Sequence, residues 1–540
     1  MNRLITSVLV SLVGLNALIQ AGEARPKLVV NIVVDQLRTA DLEYLQTLFG
    51  NKGFNRLIRE GAYLRDIDFH AESPDIANTT ALLATGAHPG ATGVPAASLF
   101  DNEAKRMVKT LSDKKYNGVS TSESFSPVGI RLSTVSDEIA VSGNGLSLIY
   151  SIAADPQQAV ILGGHAANAA VWIDPNTGKW ASSSYYKEIP GCVSQRNQRS
   201  PLSSRIDTMV WKPALSPERY RHIPADKKRQ PFQYTFSSGR DSYSRFAATP
   251  LANREITDLA IDCLQSMRMG RRYSADSGKS DLLGEPVDVL NIGYALNPLP
   301  VTGQADASME QQDAYIRLDA QLTRLLDAID RSVGLSNSLV VLSSTGYFDE
   351  RPIDAQRYRI PSGEFSTSRA ASLLNSYLSA RFGNDSYVDT FIRGQVYLNR
   401  SNLERKGLDV AAVAEEARDF LLKMSGVNNV YTQRDLANPS GEEASRLRLS
   451  NDPKTSGDVM VTFVPGWNVS EDYNYPPTQH TVSGAATVVP AFFLGAEVVP
   501  EVISTTVDAT AIAPTVTQIL RIRSPNGAVG RPLLLNTPAR

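Results

Sequence analysis

Histidine and cysteine are scarce in this chain, which has 5 His and 2 Cys in 540 residues. That scarcity rules out a cysteine-built metal centre and a multi-bridge disulfide framework. The two cysteines, Cys192 and Cys263, leave two readings open: a single bridge formed in an oxidising compartment, or two buried thiols. Neither sign of charge is in excess, with 54 Lys+Arg against 56 Asp+Glu. Such a balance argues against nucleic acid or an acidic surface as partner. Beyond the first residues no apolar run is long enough to cross a bilayer, so no transmembrane segment is expected in the mature chain.

The start of the chain has the pattern of an export signal. A basic Asn2-Arg3 precedes the apolar run Leu4 to Leu18, and Ile19-Gln-Ala21 offers small residues for cleavage. Residues 1–21 are therefore expected to be a signal peptide, and the mature protein to be exported, periplasmic or associated with the cell envelope.

The stretch Lys27-Leu-Val-Val-Asn-Ile-Val-Val-Asp-Gln-Leu-Arg38 organises the rest of the chain. Apolar and mostly β-branched apart from Asn31, it reads as a strand buried on both faces. It ends in Asp35 and feeds a helical pattern with Leu42, Leu45 and Phe49 on one side. Open α/β sheets place their sites at such strand ends, although an aspartate there also serves as a helix cap. Further buried strands are predicted at Leu146–Ile152, Val287–Gly293, Ser338–Ser344 and Val488–Leu494. Amphipathic helices are predicted at Asn253–Met267 and Met309–Arg331, and a C-terminal helix over Val507–Leu520 with a proline inside it. Alternating strands and helices call for a doubly wound, mostly parallel central sheet flanked by helices. Residues 25–387 are expected to form this core, with an Arg- and Ser-rich elaboration at about 195–284. Residues 388–465 read as an inserted small α+β subdomain, and 466–540 as a return to the core. Arg268, Arg271 and Arg272 follow a helix end, where they complement its dipole; an anion site there is the lesser reading.

Several segments, taken in order, carry a resemblance to a known family. They are the Lys27–Arg38 strand, Gly53-Phe-…-Gly61, Leu83-Ala-Thr-Gly86 with His88-Pro-Gly, and Gly163-Gly-His-Ala-Ala-Asn-Ala-Ala-Val-Trp172 with Ser183-Ser-Tyr-Tyr186. Ala314-Tyr-Ile-Arg-Leu-Asp319, Ser456-Gly-Asp-…-Pro-Gly-Trp467, Ile512-Ala-Pro-Thr515 and Pro525-Asn-Gly-Ala-Val-Gly530 complete the set. Together the chain resembles the alkaline phosphatase superfamily, in its type I phosphodiesterase/nucleotide pyrophosphatase branch. Exported phosphate-irrepressible alkaline phosphatases look most similar.

The resemblance implies a site in which two zinc ions, roughly 4 Å apart and held by Asp and His, clamp a phosphoryl group. It also implies a Thr or Ser on a helix N-terminus that becomes transiently phosphorylated. Carried over residue by residue, the first metal carboxylate falls on Asp35, which is retained. The nucleophile position holds Ile76, with Thr79 and Thr80 as slipped substitutes. Four metal-ligand positions hold Pro298, Thr302, Thr345 and Gly346, and the last falls on His480. The phosphate contacts, an Asn, a Lys and an Arg in the family, correspond to Ala97, Asp155 and Gln157.

With the cage for two cations so depleted, the expectation from sequence is a pseudoenzyme. It would be an exported, catalytically degenerate protein binding a protein partner or ligand in the envelope, with no metal cofactor. One alternative is a phosphomonoester or phosphodiester hydrolase with a rearranged or single-metal site that uses zinc and draws on Asp349 and Glu350. The other is a structural subunit of an envelope complex, with Tyr185, Tyr186, Tyr473, Tyr475 and Trp467 as candidate contact aromatics, unless they serve the core.

Overall fold

The computed structural model describes residues 25–186, 189–223, 225–237, 241–272, 286–296, 308–348, 362–471, 478–483 and 487–535. The expected signal peptide, Pro298, Thr302, Asp349, Glu350, Tyr473 and Tyr475 lie outside them.

A ten-stranded sheet carries the core. Its order is Glu501–Ile503, Ala62–Leu64, Ala491–Gly495, Ser338–Ser344, Leu28–Asp35, Asp288–Ala295, Ile149–Ala153, Ala169–Ile173, Trp180–Ser183 and Gly118–Val119. The five strands from Ser338–Ser344 to Ala169–Ile173 run parallel, and Ala491–Gly495 and Trp180–Ser183 flank them antiparallel. The result is the mostly parallel α/β sheet that the strand–helix alternation predicts.

Leu28–Asp35 lies at the centre because both of its faces can be buried. Leu28, Val30, Ile32 and Val34 enter one apolar layer, and Val29 and Val33 the other. The polar interruption is paired rather than stranded. Asn31 donates to Asn291 Oδ1 (3.2 Å), and Asn291 donates to Ser136 Oγ (3.1 Å), as buried amides require.

On one face lie Thr39–Leu45, Phe54–Glu60, Pro250–Ser266 and Met309–Ser332. The last presents Leu318, Leu322, Leu325, Leu326 and Ile329 to the sheet, spaced three and four apart. Ser308 caps it by accepting the Gln311 N–H at 3.1 Å. On the opposite face lie Ile76–Thr85, Val135–Ser142 and Ile512–Ile519. The C-terminal helix is shorter than its sequence pattern predicts. Val507–Asp508 is instead a strand paired with Ile67–Asp68, and Pro514 falls in the first turn of Ile512–Ile519, where its missing N–H costs nothing.

The Arg- and Ser-rich elaboration is fastened to the core in two ways. Asp313, fully buried, accepts from Trp211 Nε1 (2.7 Å), Tyr220 Oη (2.7 Å), Ala214 N (2.7 Å) and Arg317 Nε (2.6 Å). A disulfide joins Cys192 on Gly191–Arg199 to Cys263 on Pro250–Ser266, which decides between the two readings of the cysteine pair. Arg272 meets Asp288 and the Leu146 carbonyl rather than an anion.

The smaller unit has a four-stranded antiparallel sheet in the order Val388–Ile392, Gln395–Leu398, Val459–Phe463, Val427–Thr432. Helices Thr367–Phe382 and Val410–Leu421 share its apolar cluster, as does Phe365. It meets the core through charged pairs: Arg131–Asp452 at 2.7 Å, Arg446–Asp68 at 3.3 Å and Arg393–Asp75 at 2.9 Å.

Candidate active site

Asp35 sits where the register places it, at the carboxyl end of the central strand beside Ala295. It is 5% exposed. Its Oδ1 accepts the Thr345 hydroxyl at 2.8 Å, and Thr345 Oγ1 in turn accepts the Gln36 N–H at 3.0 Å. Gln36 adopts φ 62°, a left-handed conformation that costs a non-glycine residue free energy and breaks the strand abruptly after Asp35. The structure therefore unites two residues that the family resemblance singles out, Asp35 and Thr345.

Gly346 comes next with φ +75°, and a Cβ there would fall 2.2 Å from the Phe69 ring. Phe69, 4% exposed, thus fills the space that a ligand side chain at this position would need. Gly346→Ala is expected to destabilise the fold by about 1–3 kcal/mol through strain and overpacking, read as a lower urea midpoint.

Ile76 opens the helix Ile76–Thr85 behind its N-cap, Asp75. Oδ1 of Asp75 accepts the N–H groups of Ala77 (3.0 Å) and Asn78 (2.9 Å), and Oδ2 accepts Ala97 N (2.7 Å) and Arg393 Nη1 (2.9 Å). Thr79 and Thr80 are fully buried. Each donates its hydroxyl back along the helix at 2.5 Å, to the carbonyls of Asp75 and Ile76. Their hydroxyls face the helix backbone, the common arrangement for Thr inside a helix, so neither presents a nucleophile.

The positions that the resemblance assigns to phosphate contact serve here as internal supports. Gln157 accepts Leu111 N (3.1 Å) and donates to the Ala97 carbonyl (2.9 Å), holding the loop that carries Ala97. Asp155 caps the helix Pro156–Gly163 by accepting Gln158 N at 2.9 Å. Burial pushes its carboxyl above the usual range. His480 is exposed on the outer strand Thr478–Thr481 of a separate three-stranded sheet, opposite Val469.

Sequence reasoning missed Arg393. It projects from the turn after Val388–Ile392 with φ 51°, its N–H held by Glu471 Oε1 at 2.6 Å. The Arg393-Gly394 pair signals a turn, but nothing local indicates that its guanidinium spans to Asp75. Also missed was the grouping of His70 with Asp68 (3.1 Å) and Asp508 (3.6 Å). His88 lies near it, with ring centroids 6.4 Å apart. Burial lowers the His88 pKa.

His165 makes a structural clip with Asp137. Its Nδ1 lies 2.9 Å from Asp137 Oδ2 and its Nε2 3.0 Å from the Ile130 carbonyl. The Asp137 carboxylate raises the His165 pKa against the opposing effect of burial. Burial alone would push Asp137 up, but the bonds from His165 and from backbone N–H groups hold it below the usual range. A raised histidine stabilises fully below its unfolded value and loses that contribution as pH rises through its folded value. A depressed carboxylate stabilises above its unfolded value and loses it as pH falls through its folded value. The stability difference between wild type and His165→Ala is therefore expected to peak between about pH 4 and 6.5 and to shrink above that. Urea titrations across pH check it.

Of the candidate aromatics among the described residues, Tyr186 is buried, Tyr185 donates to the His165 carbonyl at 3.0 Å, and Trp467 packs on Gly363 and Gly426. They serve packing. Among the described residues, no group of three or more His, Cys, Asp or Glu is placed to hold a metal ion.

A mostly parallel sheet of this order, with Asp35 at the carboxyl end of its central strand and a capped helix Ile76–Thr85 beside it, defines the architecture of the alkaline phosphatase superfamily. The type I phosphodiesterase/nucleotide pyrophosphatase family matches residues 29–486, and the chain belongs to it. Among its relatives is the alkaline phosphatase PhoV of Synechococcus elongatus, 28% identical over 94% of this chain and 92% of that protein. The alkaline phosphatase PafA of Elizabethkingia meningoseptica is 26% identical over 94% of each. The crystal structure of wild-type PafA superposes with a TM-score of 0.79 at 25% identity, covering 94% of this chain and 98% of that one.

These likenesses correct two expectations. The pseudoenzyme reading rested on subtraction at single positions, and end-to-end similarity to named phosphatases in sequence and structure overturns it. The expectation of no metal cofactor goes with it, because the relatives are named alkaline phosphatases, for which the family resemblance implies zinc. Tested against the residues, the fit to a zinc pair is incomplete. Asp35 is a suitable donor, but Thr345 and Gly346 stand where the resemblance implies an Asp-His pair, and Phe69 fills the space beside Gly346.

Proposed function

We propose that the protein is a phosphoric ester hydrolase with a rearranged site at the carboxyl end of the central strand, around Asp35. The observation that carries this reading is the match along 94% of the chain to alkaline phosphatases, with Asp35 kept buried and oriented by Thr345. The shortage of cations favours a singly charged diester over a doubly charged monoester. Where the resemblance implies a Lys and an Arg on the phosphate, this chain has Asp155 and Gln157, and the Asp75 carboxylate is already paired with Arg393. A dianion loses more than a monoanion when such cations are missing. The Cys192–Cys263 bridge supports export into an oxidising compartment.

The test compares p-nitrophenyl phosphate with bis(p-nitrophenyl) phosphate on the mature protein, before and after chelation and zinc return. Turnover of the diester exceeding that of the monoester, lost on chelation and restored by zinc, is expected. Nitrophenol release from neither ester after zinc loading overturns the proposal.

A further inference from the structure

Away from Asp35, the elaboration holds a cavity of about 340 Å³ between the segment 205–210 and the helix Pro250–Ser266. Its size lies within the range of small-molecule sites. Met209, Val210 and Leu251 give it an apolar wall, and Arg205, Arg254 and Asp258 a polar one.

The polar wall is a charge network with one cation to spare. Arg205 grips Glu255 through both terminal nitrogens (2.8 and 2.9 Å). Arg196 bridges Glu255 (3.0 Å), Asp258 (3.1 Å) and Asp262 (3.1 Å). Arg324 holds the other oxygen of Asp258 at 2.5 Å. These carboxylates are thus already engaged. The Arg254 guanidinium, exposed at the cavity, makes no hydrogen bond or ion pair among the described residues.

We propose that this cavity is a binding site for a small organic carboxylate with an apolar body, its head group on Arg254 and its body against Met209, Val210 and Leu251. A guanidinium matches a carboxylate in a two-bond fork. One uncompensated guanidinium suits one negative charge, and the apolar wall selects for a hydrophobic substituent. The site is separate from the proposed ester hydrolysis and does not depend on it.

Calorimetric titration of the full protein with benzoate tests the site, with benzyl alcohol and inorganic phosphate as controls. Benzoate is expected to bind at one site. Arg254→Ala is expected to weaken it about tenfold or more. Val210→Asp, which sets a negative charge at the partly exposed rim, is expected to do the same. Both variants should unfold and hydrolyse esters as wild type does. Absence of benzoate binding overturns the proposal, as does binding unchanged in both variants. Equal affinity for phosphate or benzyl alcohol overturns the assigned ligand class. Loss of ester hydrolysis in the wild type leaves the benzoate result readable.

Discussion

Asp35→Asn is expected to lower kcat/KM for phosphate ester hydrolysis by two orders of magnitude or more, equivalent to about 2.7 kcal/mol of transition-state stabilisation. The amide keeps an oxygen that can accept the Thr345 hydroxyl and nearly the same volume, so the fold should change little. The charge is what disappears. Thr345→Val isolates the positioning role. It removes the hydroxyl that links Asp35 to the Gln36 N–H while leaving the carboxylate, and a smaller loss of about tenfold is expected. Steady-state kinetics with bis(p-nitrophenyl) phosphate, alongside urea unfolding of each variant, separate the two effects. Undiminished turnover in Asp35→Asn would place the chemistry elsewhere.

The largest stability effect is expected at the Cys192–Cys263 bridge. It closes a loop with a sequence separation of 71, and opening it restores chain entropy to the unfolded state worth about 4 kcal/mol. Both cysteines are buried between Gly191–Arg199 and Pro250–Ser266, so Cys263→Ser also leaves a poorly packed hydroxyl. Wild type treated with dithiothreitol under mild denaturation should approach the unfolding midpoint of Cys192→Ser/Cys263→Ser. Dithiothreitol should not shift the double variant. A midpoint unaffected by either change would show that the bridge contributes nothing to stability.

Strands with both faces buried announce themselves by unbroken apolar runs, and this made Leu28–Asp35 and the parallel sheet around it readable from the residues alone. The fate of Thr79 and Thr80 was also within reach of local rules, since a helical threonine tends to bond its own preceding turn. What spacing could not convey was contact across the chain. Arg393 and Asp75 are 318 residues apart, and their pairing depends on how the smaller unit seats on the core. The Phe69 ring against Gly346 is equally non-local. Losses at single positions were visible and the scaffold's continuity was diffuse, and weighing the first above the second produced the pseudoenzyme expectation that the relatives correct.

The central strand has a kinetic consequence. Leu28–Asp35 is made early, yet its two neighbours, Asp288–Ala295 and Ser338–Ser344, are made late; the Asn31–Asn291 pair alone spans 260 residues. Until the ribosome has delivered those later strands, the first one has nothing to pair with, and its oily residues stay available to chaperones. Such a delay keeps the central sheet from locking before nearly two thirds of the chain has been made.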